Sequence, residues 1–248
     1  VGLNVLISID DTDNLDSPGT GELAAQIART IRVRNWGETS FVTRHQLLVH
    51  PDIPYTSHNS AMCFSAALVP DCLDDLIADA SQYLSVESAD GSDPGLCVVV
   101  IDTLSDPQAL ISFGQSAKTQ VLNKDSAYTL ARMLGVHLSE HGGTGLGVVG
   151  ALAGAGLRLW GNDGRMRGRL NFPGDPIELT VAELTAHREV DVVQTTAGLE
   201  LPGETLVNLG DKVKTVLLGG RSTLLVTTNS SGYGAPWRTC NNHELKRF

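Results

Sequence analysis

Apolar and polar positions alternate along the chain with clear periods. Gly2 to Ile9 carries Leu3, Val5, Leu6, Ile7 and Ile9 in one short run, the pattern of a buried strand. A polar loop follows from Asp10 to Gly21. Glu22 to Val33 then places Leu23, Ile27 and Ile31 at i, i+4 and i+8, which predicts an amphipathic helix. Strand patterns return at Thr39–Val49 and Ala61–Val69. Asp71–Leu84 is acidic and amphipathic and predicts a helix, and Leu96–Ile101 predicts a short strand. Asp125 or Ser126 can cap a helix running to about Glu140, which Gly142-Gly143 would stop. Gly145–Gly156 consists almost wholly of Gly, Ala, Val and Leu. After Pro176 strand patterns dominate: Asp191–Thr196, Thr205–Leu209, Val213–Leu218 and Ser222–Thr228. There is no internal repeat. Helices and strands mix early and strands prevail late, so the expected class is α/β or α+β.

Composition places the chain among ordinary globular proteins: 248 residues, 42% hydrophobic and 19% charged. No run of 18 apolar residues occurs, so no membrane span is expected. The first residues lack a basic stretch before an apolar one, so no signal peptide is expected. Cys63, Cys72, Cys97 and Cys240 show no CxxC spacing, which argues against a zinc ribbon or redox pair and fits a reducing cytoplasm. The net charge of −10 speaks against a simple nucleic-acid binder. That acidity is localised. Residues 1–140 hold 7 Lys/Arg against 18 Asp/Glu, whereas residues 141–248 hold 11 against 10. Arg158, Arg165, Arg167 and Arg169 form a cluster that reads either as a solvated strand face or as a patch for polyphosphate.

Four stretches carry candidate chemistry. The loop Asp10-Asp11-Thr12-Asp13-Asn14-Leu15-Asp16 sets four carboxylates within seven residues at the carboxyl end of the first strand. Such crowding calls for solvation, as in an exposed acidic turn, or for a cation, and hard oxygen ligands suit Mg²⁺. Open sheets bind ligands at that end of their strands. EF-hand spacing fails here. The stretch Gly142-Gly143-Thr144-Gly145-Leu146-Gly147-Val148-Val149-Gly150 matches the dinucleotide pattern only formally, because a helix precedes it. Its glycines either expose backbone N–H groups to an anion or let a small-residue helix pack closely. His137-Leu138-Ser139-Glu140-His141 is the inverted zinc-peptidase pattern. On a helix it would bring both histidines and Glu140 together, but no distinctive third ligand follows. His50 to Ser60, with two prolines, is a rigid connection displaying Thr56, His58 and Asn59.

The order of these pieces resembles the amino-terminal part of the archaeal isoleucine-tRNA agmatinylcytidine synthetase family. Its D-D-T-D-S loop is similar to Asp10–Asp13. Its N-P-N-I-P-W-x-T-R-G-N stretch is similar to His50–Asn59. Its G-x-G-L-I-G-A-L-A-A-I-G stretch is similar to Gly143–Gly156, and its E-L-I-A-Y-R strand to Glu183–Arg188. The resemblance covers roughly residues 3–190. It implies an atypical kinase-like domain, placed at 1–140, followed by a ferredoxin-like domain with a β-rich extension, placed at 141–248. It further implies that ATP phosphorylates a cytidine carbonyl and that agmatine then displaces the phosphate.

Carried onto this chain, Asp10, Asp11 and Asp13 hold Mg²⁺ and the ATP phosphates, with Asp11 and Thr20 catalytic. Thr12, Arg44, His58, Asn59, Gly143, Gly145 and Gly147 bind nucleotide or substrate. Two departures stand out: Gly21 replaces the second Thr of a Thr-Thr pair, and Ser57-His58 replaces Arg-Gly, leaving Arg44 or the 158–169 arginines to supply a cation. The residues given end before the family's OB-fold and zinc ribbon, so tRNA binding is expected to need a partner. The leading expectation is an Mg²⁺/ATP-dependent phosphoryl-transfer enzyme, with a small molecule as second substrate, in the cytoplasm. A non-catalytic nucleotide or anion binder, and a zinc hydrolase using His137, Glu140 and His141, are the alternatives.

Overall fold

A computed structural model describes residues 2–53, 59–229, 234–246 and 248. The chain divides into two compact units between Trp160 and Gly161. In the first unit the elements run β1 (Leu3–Asp10), α1 (Thr20–Val33), β2 (Gly37–Thr39), β3 (Thr43–Gln46), β4 (Ser60–Leu68), α2 (Leu73–Glu87), β5 (Gly95–Val100), α3 (Pro107–Ser116), α4 (Lys124–Leu134), β6 (His137–Glu140) and α5 (Gly147–Trp160). The strands form an antiparallel sheet in the order β6-β5-β1-β4-β3, with β2 also paired to β4.

Helices cover both faces, and the two-residue period of β1 decides what meets each. Val5, Ile7 and Ile9 face α1 and α2, packing with Leu23, Ile27, Ile31, Leu76 and Leu84. Leu6 points the other way, to a core with Leu110, Ala127, Val148 and Leu152 from α3, α4 and α5. The α1 and α2 side of β1 is wholly apolar, whereas the α5 side alternates Leu6 with the buried polar residues Ser8 and Asp10. Asp10 shares the α5 side with Leu6, at the strand's last position.

The small-residue stretch is α5, and its glycines are contact points. A Cβ on Gly154 would press on Ser8 Oγ and Ala61, and one on Gly150 would overlap the Asp10 carboxylate. Gly114 of α3 needs the same economy, since a Cβ would lie 2.8 Å from both Ala153 O and Leu157 N. The sequence pattern did not reveal α3. Its N-terminus carries Pro107 at the first position and an Asp106 side chain that accepts from Ala109 N at 3.0 Å.

Three expectations are corrected here. The boundary between units falls after Trp160 and not after residue 140, because α5 packs on β1, β4 and β5 of the first unit. The helix expected to reach Glu140 ends at Leu134, where Gly135 turns left-handed at φ 68°, and residues 137–140 form edge strand β6. Arg158 does not join a surface patch. Its guanidinium donates to Thr43 Oγ1 and Ser40 Oγ, each at 3.0 Å, and lies over the Phe41 ring.

The second unit is rich in strand: β7 (Arg165–Met166), β8 (Glu178–Thr180), α6 (Val181–Thr185), β9 (Val192–Thr195), β10 (Leu206–Asn208), β11 (Val216–Leu218), β12 (Arg221–Thr228) and β13 (Trp237–Thr239). Their order is β7-β11-β12-β13-β10-β8, with β9 parallel to β12. Glu183 to Thr185, read by resemblance as the start of a strand, lies in α6. There Thr180 and Glu183 form a reciprocal capping box, which holds this segment helical. The mixed α/β class expected from the sequence is the class observed.

Candidate functional site

β1 delivers Asp10 to the solvent end of the sheet, and the chain turns at once. Asp11 has φ 52°, a left-handed conformation that costs a non-glycine residue about 1 kcal/mol or more. Strain of this kind at a loop between a central strand and a helix is a mark of a site. The loop closes on Thr20, the first residue of α1. Thr20 Oγ1 donates to Asp13 Oδ1 at 3.2 Å and accepts from Thr12 N at 3.4 Å. Gly19, the residue capping α1, brings no side chain to the helix end.

These groups line a cleft of about 810 Å³, open mouth included. Asp10, Asp11, Asp13 and Thr20 form one part of its wall, and Leu146, Gly147, Val149 and Gly150 at the start of α5 form another. Leu47, Asn59, Ser60 and the segment Ala117, Gln120, Val121 and Leu122 complete it, with Asp52 and Ile53. Asn59 is held in place: its Nδ2 donates to Leu48 O at 2.6 Å. The N-termini of α1 and α5 thus both reach the cleft, and such termini carry partial positive charge suited to phosphate.

The carboxylates are electrostatically crowded. Burial pushes Asp10 up to about 8, and the neighbouring Asp11 and Asp13 charges add to the shift. Burial also raises Asp11 to about 6, with Asp93 and Asp13 contributing. A divalent cation would relieve that repulsion. Among the described residues no three His, Cys, Asp or Glu side chains are placed to hold a metal ion together. The oxygen donors present fit the open kind of site that Mg²⁺ uses, in which one or two carboxylates act with waters and substrate phosphates.

Of the residues singled out in the sequence, Asp10, Asp11, Asp13, Thr20, Asn59 and Gly147 line the cleft together. Thr12 does not, being fully buried beneath the loop with its backbone O accepting from Ala89 N. Arg44 stands behind the wall, its Nε donating to Ser60 Oγ at 2.9 Å. Gly143 and Gly145 also lie off the lining. Both have positive φ, and they flank Thr144 between Asp93 on one side and Glu140 with Lys124 on the other. His58, with Thr56 and Ser57, lies outside the described residues. His137, at the start of β6, and His141, just past its end, are joined through Ser139 Oγ at 2.9 and 2.8 Å. Glu140 points to the face opposite Ser139 and pairs with Lys124 and Tyr128. The zinc-peptidase arrangement therefore does not form, because it needs a helix where the chain has a strand.

Sequence reasoning missed Asp93 and the 117–122 segment. Asp93 sits just before β5, whose first residue Gly95 pairs with Asp10 across the sheet. Only that non-local pairing brings it near the loop. The one sequence signal was the Ser92-Asp93-Pro94-Gly95 turn.

No protein-family model and no curated protein matches the sequence. Solved structures do match. A tRNA fluorescent labeling enzyme is similar at 26% identity and TM-score 0.54, over 62% of this chain and 36% of its own. Apo TiaS, a tRNA agmatidine synthetase, is similar at 23% identity and TM-score 0.52, over 62% of this chain and 35% of its own. TiaS in a complex with its tRNA, AMPCPP and agmatine is similar at 20% identity and TM-score 0.53, over 82% of this chain and 50% of its own. The chain thus spans between about a third and a half of the length of these proteins. Its fold is one shared with the tRNA agmatidine synthetase TiaS, in keeping with the resemblance of its motifs.

Proposed function

We propose that the cleft binds ATP with Mg²⁺ and transfers its terminal phosphoryl group to a carbonyl or hydroxyl oxygen of a second substrate. The bond from phosphorus to the ADP oxygen breaks as the new phosphorus–oxygen bond forms. An amine then displaces the phosphate, forming a carbon–nitrogen bond. The observation that carries this reading is the meeting, in one cleft, of the Asp10, Asp11 and Asp13 carboxylates with the N-termini of α1 and α5. Phosphoryl transfer asks mainly for positioning and neutralised charge. One or two of the Asp10, Asp11 and Asp13 carboxylates would hold Mg²⁺ together with waters and the phosphates, whose charge the ion would offset. Thr20, fixed by Asp13, presents its hydroxyl towards the transferring group. The helix N-termini bring their partial positive charge to the phosphate side of the cleft, and Asn59 and Ser60 border the second substrate. In this reading the first unit is the kinase-like part and the second unit the ferredoxin-like part of a longer architecture.

The similar enzymes act on tRNA, which makes a tRNA base one candidate acceptor. The net charge of −10 means that tRNA would need a partner to hold it. A reading as a nucleotide binder without turnover is favoured by Gly21, buried in the first turn of α1 where a second threonine is expected. Calorimetric titration with AMPCPP and Mg²⁺ tests the binding step, and release of ADP or phosphate across candidate acceptors separates the enzyme from the binder. Binding by the wild type that Asp11→Ala removes supports the proposal; no binding by the wild type overturns it.

A further inference from the structure

Thr144 is the most heavily tethered residue of the glycine-rich segment, although its side chain is exposed. Its backbone N–H donates to Asp93 Oδ1, and its hydroxyl donates to Asp93 Oδ2 at 2.5 Å. Its carbonyl accepts from Lys124 Nζ at 3.0 Å, and the same ammonium pairs with Glu140 Oε2 at 2.5 Å. Every polar group of one residue is therefore in use. The flanking glycines make room for these bonds: a Cβ on Gly143 would overlap Asp93 Oδ1, and one on Gly145 would overlap Glu140 Oε2. Asp93 also reaches the helix itself, since its backbone O accepts from Gly147 N, the first residue of α5, at 3.1 Å.

Asp93 is buried to 8% exposure and lies close enough to Asp11 to act on its charge, yet it does not line the cleft. A buried carboxylate next to others of like charge costs stability unless its bonds repay it. Here those bonds go to the segment that leads into the cleft wall. We propose that Asp93 is a positioning residue: it straps Thr144 down so that the first turn of α5, Gly147 to Gly150, stands against Asp10 and faces the bound polyphosphate. The glycine-rich segment then serves as a strap anchored by Asp93 and Lys124, and the helix start behind it, its own amides bonded within the protein, forms the cleft wall against Asp10. This inference rests on the proposed nucleotide site for its functional consequence, but the strap itself can be tested without a ligand.

Two readouts on the full chain separate the strap from the nucleotide site. Amide hydrogen exchange at Val148, Val149 and Gly150 reports the strap directly. In Asp93→Asn these amides are expected to exchange at least tenfold faster while the thermal midpoint stays within about 3 °C of wild type. Affinity for AMPCPP with Mg²⁺ is expected to fall tenfold or more in the same variant. Thr144→Ser keeps both donors and is expected to match the wild type in both measurements. Thr144→Val lacks the hydroxyl and is expected to show a smaller loss that does not add to that of Asp93→Asn. Should Asp93→Asn fail to fold, Thr144→Val against Thr144→Ser carries the comparison. Unchanged exchange in the variants that remove a donor or acceptor overturns the strap. Faster exchange with no nucleotide binding even by the wild type keeps the strap and overturns the proposed function. Faster exchange with unchanged AMPCPP affinity overturns the claim that Asp93 acts on the phosphate site.

Discussion

Asp10 and Asp11 are the residues on which the site turns. Their carboxyls titrate near 8 and 6 in the folded chain and near 3.8 when unfolded. The folded state therefore holds extra protons between about pH 4 and pH 8. The contribution of these groups to stability is complete below that window and is lost as pH rises through 6 and then 8. The thermal midpoint in metal-free buffer is expected to fall between pH 5 and pH 9 by more than about 3 °C, the shift that ~1 kcal/mol brings in a protein this size. Added Mg²⁺ is expected to recover part of it at the upper end. A midpoint flat with pH in differential scanning fluorimetry contradicts this. Gly150 tests the same place by shape. Gly150→Ala puts a methyl into the space of the Asp10 carboxylate, with an expected cost of about 1–3 kcal/mol by urea denaturation and loss of nucleotide affinity. Equal stability and affinity in that variant means that α5 does not press on Asp10.

At the scale of elements, the packing of α3 on α5 depends on Gly114. Gly114→Ala is expected to destabilise by about 1–3 kcal/mol, because the added carbon must displace helix backbone and not a mobile side chain. Asp106→Ala at the start of α3 is expected to cost ~1 kcal/mol through loss of the cap. Chemical denaturation checks both. What the sequence disclosed and what it hid divides along physical lines. β1 and α1 were legible because burial on a fixed period leaves its mark locally. The end of α4 was misplaced because the Gly142-Gly143 pair reads as the stronger stop, while the isolated Gly135 in fact ends the helix. The Asp loop was legible as a motif. Asp93 was not, since its place beside Asp11 follows from the antiparallel pairing of β5 with β1, which no local pattern encodes.

For the whole molecule, the site belongs to one unit. Every described residue lining the cleft precedes Gly161, and the same unit carries the excess acidity read from the sequence. Part of that negative charge is gathered at Asp10, Asp11, Asp13 and Asp93, where it suits a cation and its phosphate better than an anion alone. Nucleotide affinity is accordingly expected to depend on Mg²⁺, and to weaken little with added monovalent salt compared with a site built from arginines. The central claim is tested most directly by calorimetric titration of AMPCPP into wild type and Asp11→Ala, each with Mg²⁺ and with a chelator. The account predicts binding by the wild type that weakens tenfold or more without Mg²⁺, and that Asp11→Ala has lost this metal dependence together with most of the affinity. Binding by the wild type that is indifferent to Mg²⁺, or equal in Asp11→Ala, would contradict it.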